Sequence, residues 1–146
     1  MSCGNSYCPC CMDESAINKH RIYVGARSAM REQAAACAKL LRSYGFEVTS
    51  DWHDDPRFAP NLAQGVGDHD ITAEANRDEA AIRRSTHMVR LSDGDPGTGG
   101  NLVEWGLARA YGVVQILVGP EVNIFDRDTC VIHAEAGEDL IAKIRA

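Results

Sequence analysis

A carboxylate that follows a glycine-rich turn is the first place in this chain where chemistry is expected. The stretch runs Asp95-Pro96-Gly97-Thr98-Gly99-Gly100-Asn101-Leu102-Val103-Glu104-Trp105-Gly106. Residues 88–91 ahead of it read as a buried strand. Residues 102–111 after it read as a helix packed through Val103, Gly106, Leu107 and Ala110. A turn between such a strand and helix lies just outside the carboxyl end of the strand, where open α/β sheets bind ligands. Glu104, placed in the first helical turn, would be favoured in its ionised form by the helix dipole and the free amides. A carboxylate held there suits attack at an electron-poor carbon such as the anomeric carbon of a sugar. The same spacing has a structural reading, because Asn101-x-x-Glu104 has the shape of a capping box with Asn101 as N-cap. Four glycines between Gly94 and Gly100 exceed what a cap requires, and glycine lets a ligand approach the backbone closely.

The elements that must position this carboxylate alternate in type. Arg21 to Gly25 is a short β-like run. Residues 28–44 form a helix whose apolar stripe is Met30, Ala34, Cys37, Leu41 and Tyr44, ended by Gly45. Residues 46–49 give a second strand. Residues 51–71 form a polar loop with Pro56, Pro60, Gly65 and Gly67, long enough to suggest a lid. A helix over 72–85 follows, with Thr72 as cap and Ala75, Glu79 and Ile82 spaced along it. Strands at 86–91, 113–118 and 130–132 and helices at 102–111 and 135–145 complete the chain. Strands alternating with helices imply a parallel sheet covered on both faces, five strands in a doubly wound, flavodoxin-like order.

Length and composition fit one domain with a full core: 146 residues, 45% hydrophobic and 25% charged. A formal charge of −6 argues against a nucleic-acid polymer or an anionic membrane as partner, since both require a basic face. No run approaches the length of a membrane span, and no basic start leads into an apolar core. A cytoplasmic location is therefore expected. Four of the six cysteines (Cys3, Cys8, Cys10, Cys11) crowd into residues 1–20, read as a cysteine-rich tail ahead of a domain at 21–146. Their C-x4-C-x-C-C pattern lacks the paired C-x2-C spacing of zinc knuckles, so a reduced flexible tail and a zinc or redox module both stay open. Cys37 and Cys130 lie in apolar patterns and read as buried thiols. His53 and His87 have no ligand at metal spacing, and no cofactor is expected.

Three segments resemble the nucleoside 2-deoxyribosyltransferases and their nucleotide N-glycosidase relatives over residues 21 to about 125. These are Ile22-Tyr23-Val24-Gly25-Ala26, Asn76-Arg77-Asp78 with Ala81-Ile82, and Gly99 to Ala108 followed by Gly112 and an apolar strand. The resemblance implies a glutamate that attacks the anomeric carbon of a nucleoside or nucleotide and releases the base, with water or a second base completing the reaction. It makes Glu104 the nucleophile, Tyr23 the group that orients it, and Asp78 the acid or hydrogen-bond partner at the leaving base. Such a reaction needs both a close carboxylate and a proton donor to the leaving group. Gly25, Arg27, Thr98, Gly99, Gly100 and Asn101 would contact the substrate. Trp52, in a polar loop, would stack on the base or else anchor the loop.

Two departures bear on the activity. Arg27-Ser28 stands where many relatives carry small residues, and Arg27 suits a phosphate. Thr98-Gly99-Gly100-Asn101 lacks the extra acidic residue of the transferases unless Asp95 supplies it, which leaves hydrolysis open beside transfer. A homodimer or larger homo-oligomer is implied by the resemblance, with Trp52, Phe58 and Trp105 as interface groups. The alternative within the same fold is a nucleotide-binding protein without catalysis.

Overall fold

The structure is a computed structural model that describes residues 20–54 and 68–146. Its strands are β1 (Arg21–Gly25), β2 (Glu47–Val48), β3 (His87–Leu91), β4 (Val114–Val118) and β5 (Ile132–Ala134). They form a single parallel sheet in the order β2-β1-β3-β4-β5, the flavodoxin-like order expected. The helices are α1 (Arg31–Ser43), α2 (Asp68–Arg83), α3 (Gly100–Ala110) and α4 (Glu138–Arg145), with short 3-10 turns at Ser28–Met30, Trp52–Asp54 and Ile124–Arg127. The winding direction reverses between β1 and β3, and right-handed crossovers then place helices on both faces. No described helix is long and apolar enough to cross a membrane.

Burial explains the central strands. Every residue of β3 is buried, as are Ile22, Tyr23, Val24 and Gly25 of β1, the pattern of parallel strands covered on both sides. α1 packs through Ala34, Ala38 and Leu41, continuing from Met30 in the turn before it, with Cys37 and Tyr44 half-buried at the edge of the stripe. Gly45 adopts φ +85° after it, the left-handed turn expected of a helix end.

Several elements differ from the sequence reading. α3 begins at Gly100, two residues early, and buries Asn101, Trp105 and Ala108. Of the expected stripe, Leu107 is half-buried against the core, but Val103 is 65% exposed, and Gly106 and Ala110 also face solvent. The i, i+4, i+7 stripe through Asn101 won because it carries the tryptophan, the larger apolar surface to bury. α2 begins at Asp68, so Thr72 lies inside it rather than capping it, and Ala75 is exposed. The last strand is displaced to Ile132–Ala134, which leaves Cys130 exposed. Cys37 keeps its inert character, its thiol pushed up to about 11 by burial. Phe58 and the four N-terminal cysteines lie outside the described residues.

A charged residue sits in the middle of this apolar sheet. Arg90 in β3 and Asp126 in the β4–β5 connection are 1% and 0% exposed, joined by two contacts of 2.9 and 2.8 Å. Asp126 also accepts the Val122 amide at 2.7 Å, and the Arg90 guanidinium lies 4.9 Å from the Trp105 ring centre. Burial would push Asp126 up, but Arg90 and the backbone amides hold it below the ordinary carboxylate range. The pair therefore fastens the connection after β4 to the sheet and places a cation under the ring next to Glu104. Asp126→Asn strands the buried guanidinium, and urea unfolding at neutral pH should show a loss of about 3–5 kcal/mol.

Candidate active site

The adjoining ends of β1 and β3 form the crevice of this topology, since the chain leaves them toward opposite sides of the sheet. Tyr23, fully buried in β1, donates its hydroxyl to Glu104 Oε1 at 2.9 Å across 81 residues of sequence. Glu104 Oε2 stands 3.4 Å from where a Cβ on Gly25 would lie, and that Cβ would also fall 2.5 Å from Met88 Cε. Gly25 is therefore small because Met88 and the carboxylate occupy the space a side chain would take. The Met88 contribution carries no sequence signal beyond its place in β3.

The helix start is not the expected one. Gly99, at φ +93°, is the N-cap, no side chain caps the helix, and its first turn holds no acidic residue. Glu104 is thus the fifth residue of α3. It neither closes a capping box nor sits in the first turn where the dipole is strongest. Its carboxylate turns to Tyr23 because the backbone enters the helix two residues before Asn101. Asn101 is buried and gives its Nδ2 to the Pro96 carbonyl at 3.4 Å, bracing the turn.

The glycines of this turn have a conformational explanation. Gly94, Gly97 and Gly99 all take positive φ, at +89°, +62° and +93°, where other residues are strained. The Asp93 and Asp95 side chains accept the amides two residues on, Asp95 at 3.0 Å and Gly97 at 2.8 Å, closing successive Asx turns. Glycine density is accounted for by the turns themselves. Thr98 and Gly100 are exposed, and added side chains at Gly99 or Gly100 would meet nothing within 4 Å.

Asp78, half-buried on α2, is close enough for its charge to act on both Glu104 and Tyr23. Glu104 is pushed up to about 8, first by burial and then by the Asp78 charge, with the Tyr23 hydroxyl opposing. Asp78 is raised to about 6 by burial and then by Glu74 and Asp51, with Arg77 opposing. Tyr23 is raised well above its ordinary value by burial and the Glu104 and Asp78 carboxylates. Both carboxyls are thus held above the ordinary carboxylate range, so the site favours keeping a proton on the Glu104–Asp78 pair. Glu74 and Asp51 enter as further carboxylates that sequence spacing did not single out.

Two expected contact residues have other employment. Trp52 is only 6% exposed and gives its indole N–H to the Val24 carbonyl at 2.8 Å, so it anchors its segment rather than offering a free stacking face. The Val24 amide goes to Ser50 Oγ at 2.9 Å, which also meets His53 Nε2 at 3.0 Å. These side chains replace the ladder that β2, two residues long, does not provide. Arg27 is engaged by Asp93 through contacts of 3.0 and 3.1 Å and is not held ready for a phosphate. Neither Trp52 nor Trp105, 6% and 3% exposed, is available as an interface group. Among the described residues no cluster of histidine, cysteine or carboxylate side chains fits a metal ion.

The raised value of Glu104 has a thermodynamic signature. Its folded value near 8 exceeds the ordinary 4.5 of the unfolded chain, so the folded state binds the extra proton and the stability it brings is lost as pH rises between those values. Relative to Glu104→Gln, the wild type should match at pH below about 4 and melt progressively lower through this window. Thermal unfolding of both proteins across that range checks it; a gap that does not change with pH would refute the buried titration.

No family model and no curated protein matches the chain. Solved structures do share its fold. The 2-deoxyribosyltransferase of the psychrotolerant bacterium Bacillus psychrosaccharolyticus superposes with a TM-score of 0.65 at 16% identity, covering 84% of this chain and 90% of that one. The CMP N-glycosidase of Clostridium botulinum gives 0.55 at 20% identity, covering 86% and 98%. The chain has the flavodoxin-like fold of these two enzymes.

Proposed function

We propose that this protein cleaves or exchanges the N-glycosidic bond of a small nucleoside or nucleotide, with Glu104 as the nucleophile. The observation that carries the reading is the Tyr23–Glu104 contact at the crevice between β1 and β3, with Asp78 beside it. Support comes from the shared fold with a 2-deoxyribosyltransferase and a CMP N-glycosidase.

In this scheme ionised Glu104 attacks the anomeric carbon, a carbon–oxygen bond forms, and the bond to the base nitrogen breaks with its electron pair leaving on the base. The base takes a proton as it departs. As Glu104 ionises, Asp78, whose carboxyl burial and its neighbours raise to about 6, takes up the proton Glu104 gives up and passes it to the base. Oxocarbenium character at the sugar draws the Glu104 carboxyl toward its ionised form, because the nearby positive charge offsets the desolvation that raised it. Water or a second base then attacks the glycosyl ester and frees Glu104. Tyr23 keeps the carboxylate aimed through its one hydroxyl.

The raised carboxyl of Glu104 favours one other reading, a nucleotide-binding protein in which Glu104 only donates a hydrogen bond. Base release from a panel of nucleosides and nucleotides separates the two. Assembly into a homo-oligomer belongs to the proposal as well. The exposed Val103, Ile124 and Phe125, rather than the tryptophans, are its apolar candidates, and sedimentation at micromolar concentration tests it.

Glu104→Gln should abolish base release while the protein stays folded. Tyr23→Phe and Asp78→Asn should lower kcat far more than they raise KM. If catalysis draws on ionised Glu104, kcat/KM of the wild type should climb with pH toward about 8. An active Glu104→Gln protein would remove the mechanism.

A further inference from the structure

Arg27 and Asp93 form a bridge at the mouth of the crevice. Arg27 lies two residues beyond the end of β1 and Asp93 two beyond the end of β3, and these strands are direct neighbours. Arg27 Nε is 3.1 and 3.0 Å from the two carboxylate oxygens of Asp93, and Nη2 also contacts Oδ2. The arginine stem is fixed as well. Gly97, at φ +62°, comes so close that a Cβ there would lie 3.0 Å from Arg27 Cβ. Asp93 is held in turn by the Asp95 amide at 3.0 Å. Arg27 first, and then that amide, lower the Asp93 carboxyl to about 2. Both side chains remain partly open to water, so the pair adds little to stability. Its consequence is in charge.

Resting on the function proposed above, we infer that Asp93 is a specificity-determining residue that neutralises Arg27 at the crevice mouth and so selects nucleosides over their 5′-monophosphates. An arginine reads a phosphate through paired N–H donors, and here the Nε and Nη2 donors face Asp93. Two other arginines are engaged as well: Arg77 with Glu74 and Asp51, and Arg31 with the His53 carbonyl at 3.0 Å. Asp51, Asp78 and Asp95 add negative potential that a phosphate dianion would have to approach.

Titration calorimetry of the full chain at low salt tests this, with the four common 2′-deoxynucleosides and their 5′-monophosphates as probes. The wild type should bind a nucleoside about tenfold tighter than its monophosphate. Asp93→Asn keeps an oxygen for the Asp95 amide but loses the charge, and should raise monophosphate affinity about tenfold, a gain that adding Arg27→Met removes. A wild type that prefers monophosphates, an Asp93→Asn protein with an unchanged preference, or no binding of either class overturns the inference. Base release is measured alongside. A protein with the expected preference that releases no base sinks the proposed reaction and leaves the selection standing. Faster release from monophosphates sinks the selection and leaves the reaction.

Discussion

The site depends on a carboxyl group held against the sheet with one hydroxyl as its main compensation. Water would favour the ionised form of Glu104. Burial removes that water, and the Asp78 charge adds repulsion that the Tyr23 hydroxyl only partly offsets. The ionisation of the group is thereby left sensitive to any charge that comes near it. A solvated glutamate would be ionised already and would gain little from such a charge. Here the folded chain concentrates the cost of desolvation at one position.

Keeping that carboxyl in place falls to contacts that are not themselves chemical. Trp105 follows Glu104 directly and packs over the Arg90 guanidinium, which Asp126 neutralises. Gln115 of β4 gives its Nε2 to the Trp105 carbonyl at 2.9 Å. On the other side of the crevice, Ser50 and Trp52 satisfy the Val24 backbone where β2 is too short to do so. β1 is thus held along its length although its outer partner pairs over two residues only. Both halves of the site, Tyr23 and Glu104, rest on buried polar groups mostly paired in the sheet and the segments beside it, although the Trp105 indole N–H and His53 Nδ1 have no hydrogen-bond partner among the described residues. Such groups are costly to break and fix one arrangement.

Much of the fold was legible from local pattern. Alternation of apolar strands with amphipathic helices gives the parallel sheet, because short right-handed crossovers leave few ways to connect it. The stripe through Met30, Ala34 and Leu41 reports the buried face of α1, and Gly45 marks its end by a backbone conformation that glycine adopts without strain. The glycine turn and Glu104 were visible as candidates because the residue types are few and their spacing is unusual. Where two apolar stripes competed on α3, pattern chose the wrong one. Val103, Gly106 and Ala110 recur at helical spacing as regularly as Asn101, Trp105 and Ala108, and only packing against the sheet shows which is buried.

Tertiary structure alone decided the remaining roles. Whether Glu104 caps its helix or faces Tyr23 turns on where the backbone enters the helix, and that is set by the left-handed Gly99 rather than by residue spacing. Arg27 and Asp93 are 66 positions apart, so no local pattern could tell that one answers the other. Trp52 reads equally well as a stacking ring or an anchor until the Val24 carbonyl is found at its indole nitrogen. Sequence by itself determined which residues had the chemistry to act, since residue type fixes donors, acceptors and charge. The structure decided which of them meet, because contacts between distant strands depend on the order of the sheet, and that order sets which groups lose their water.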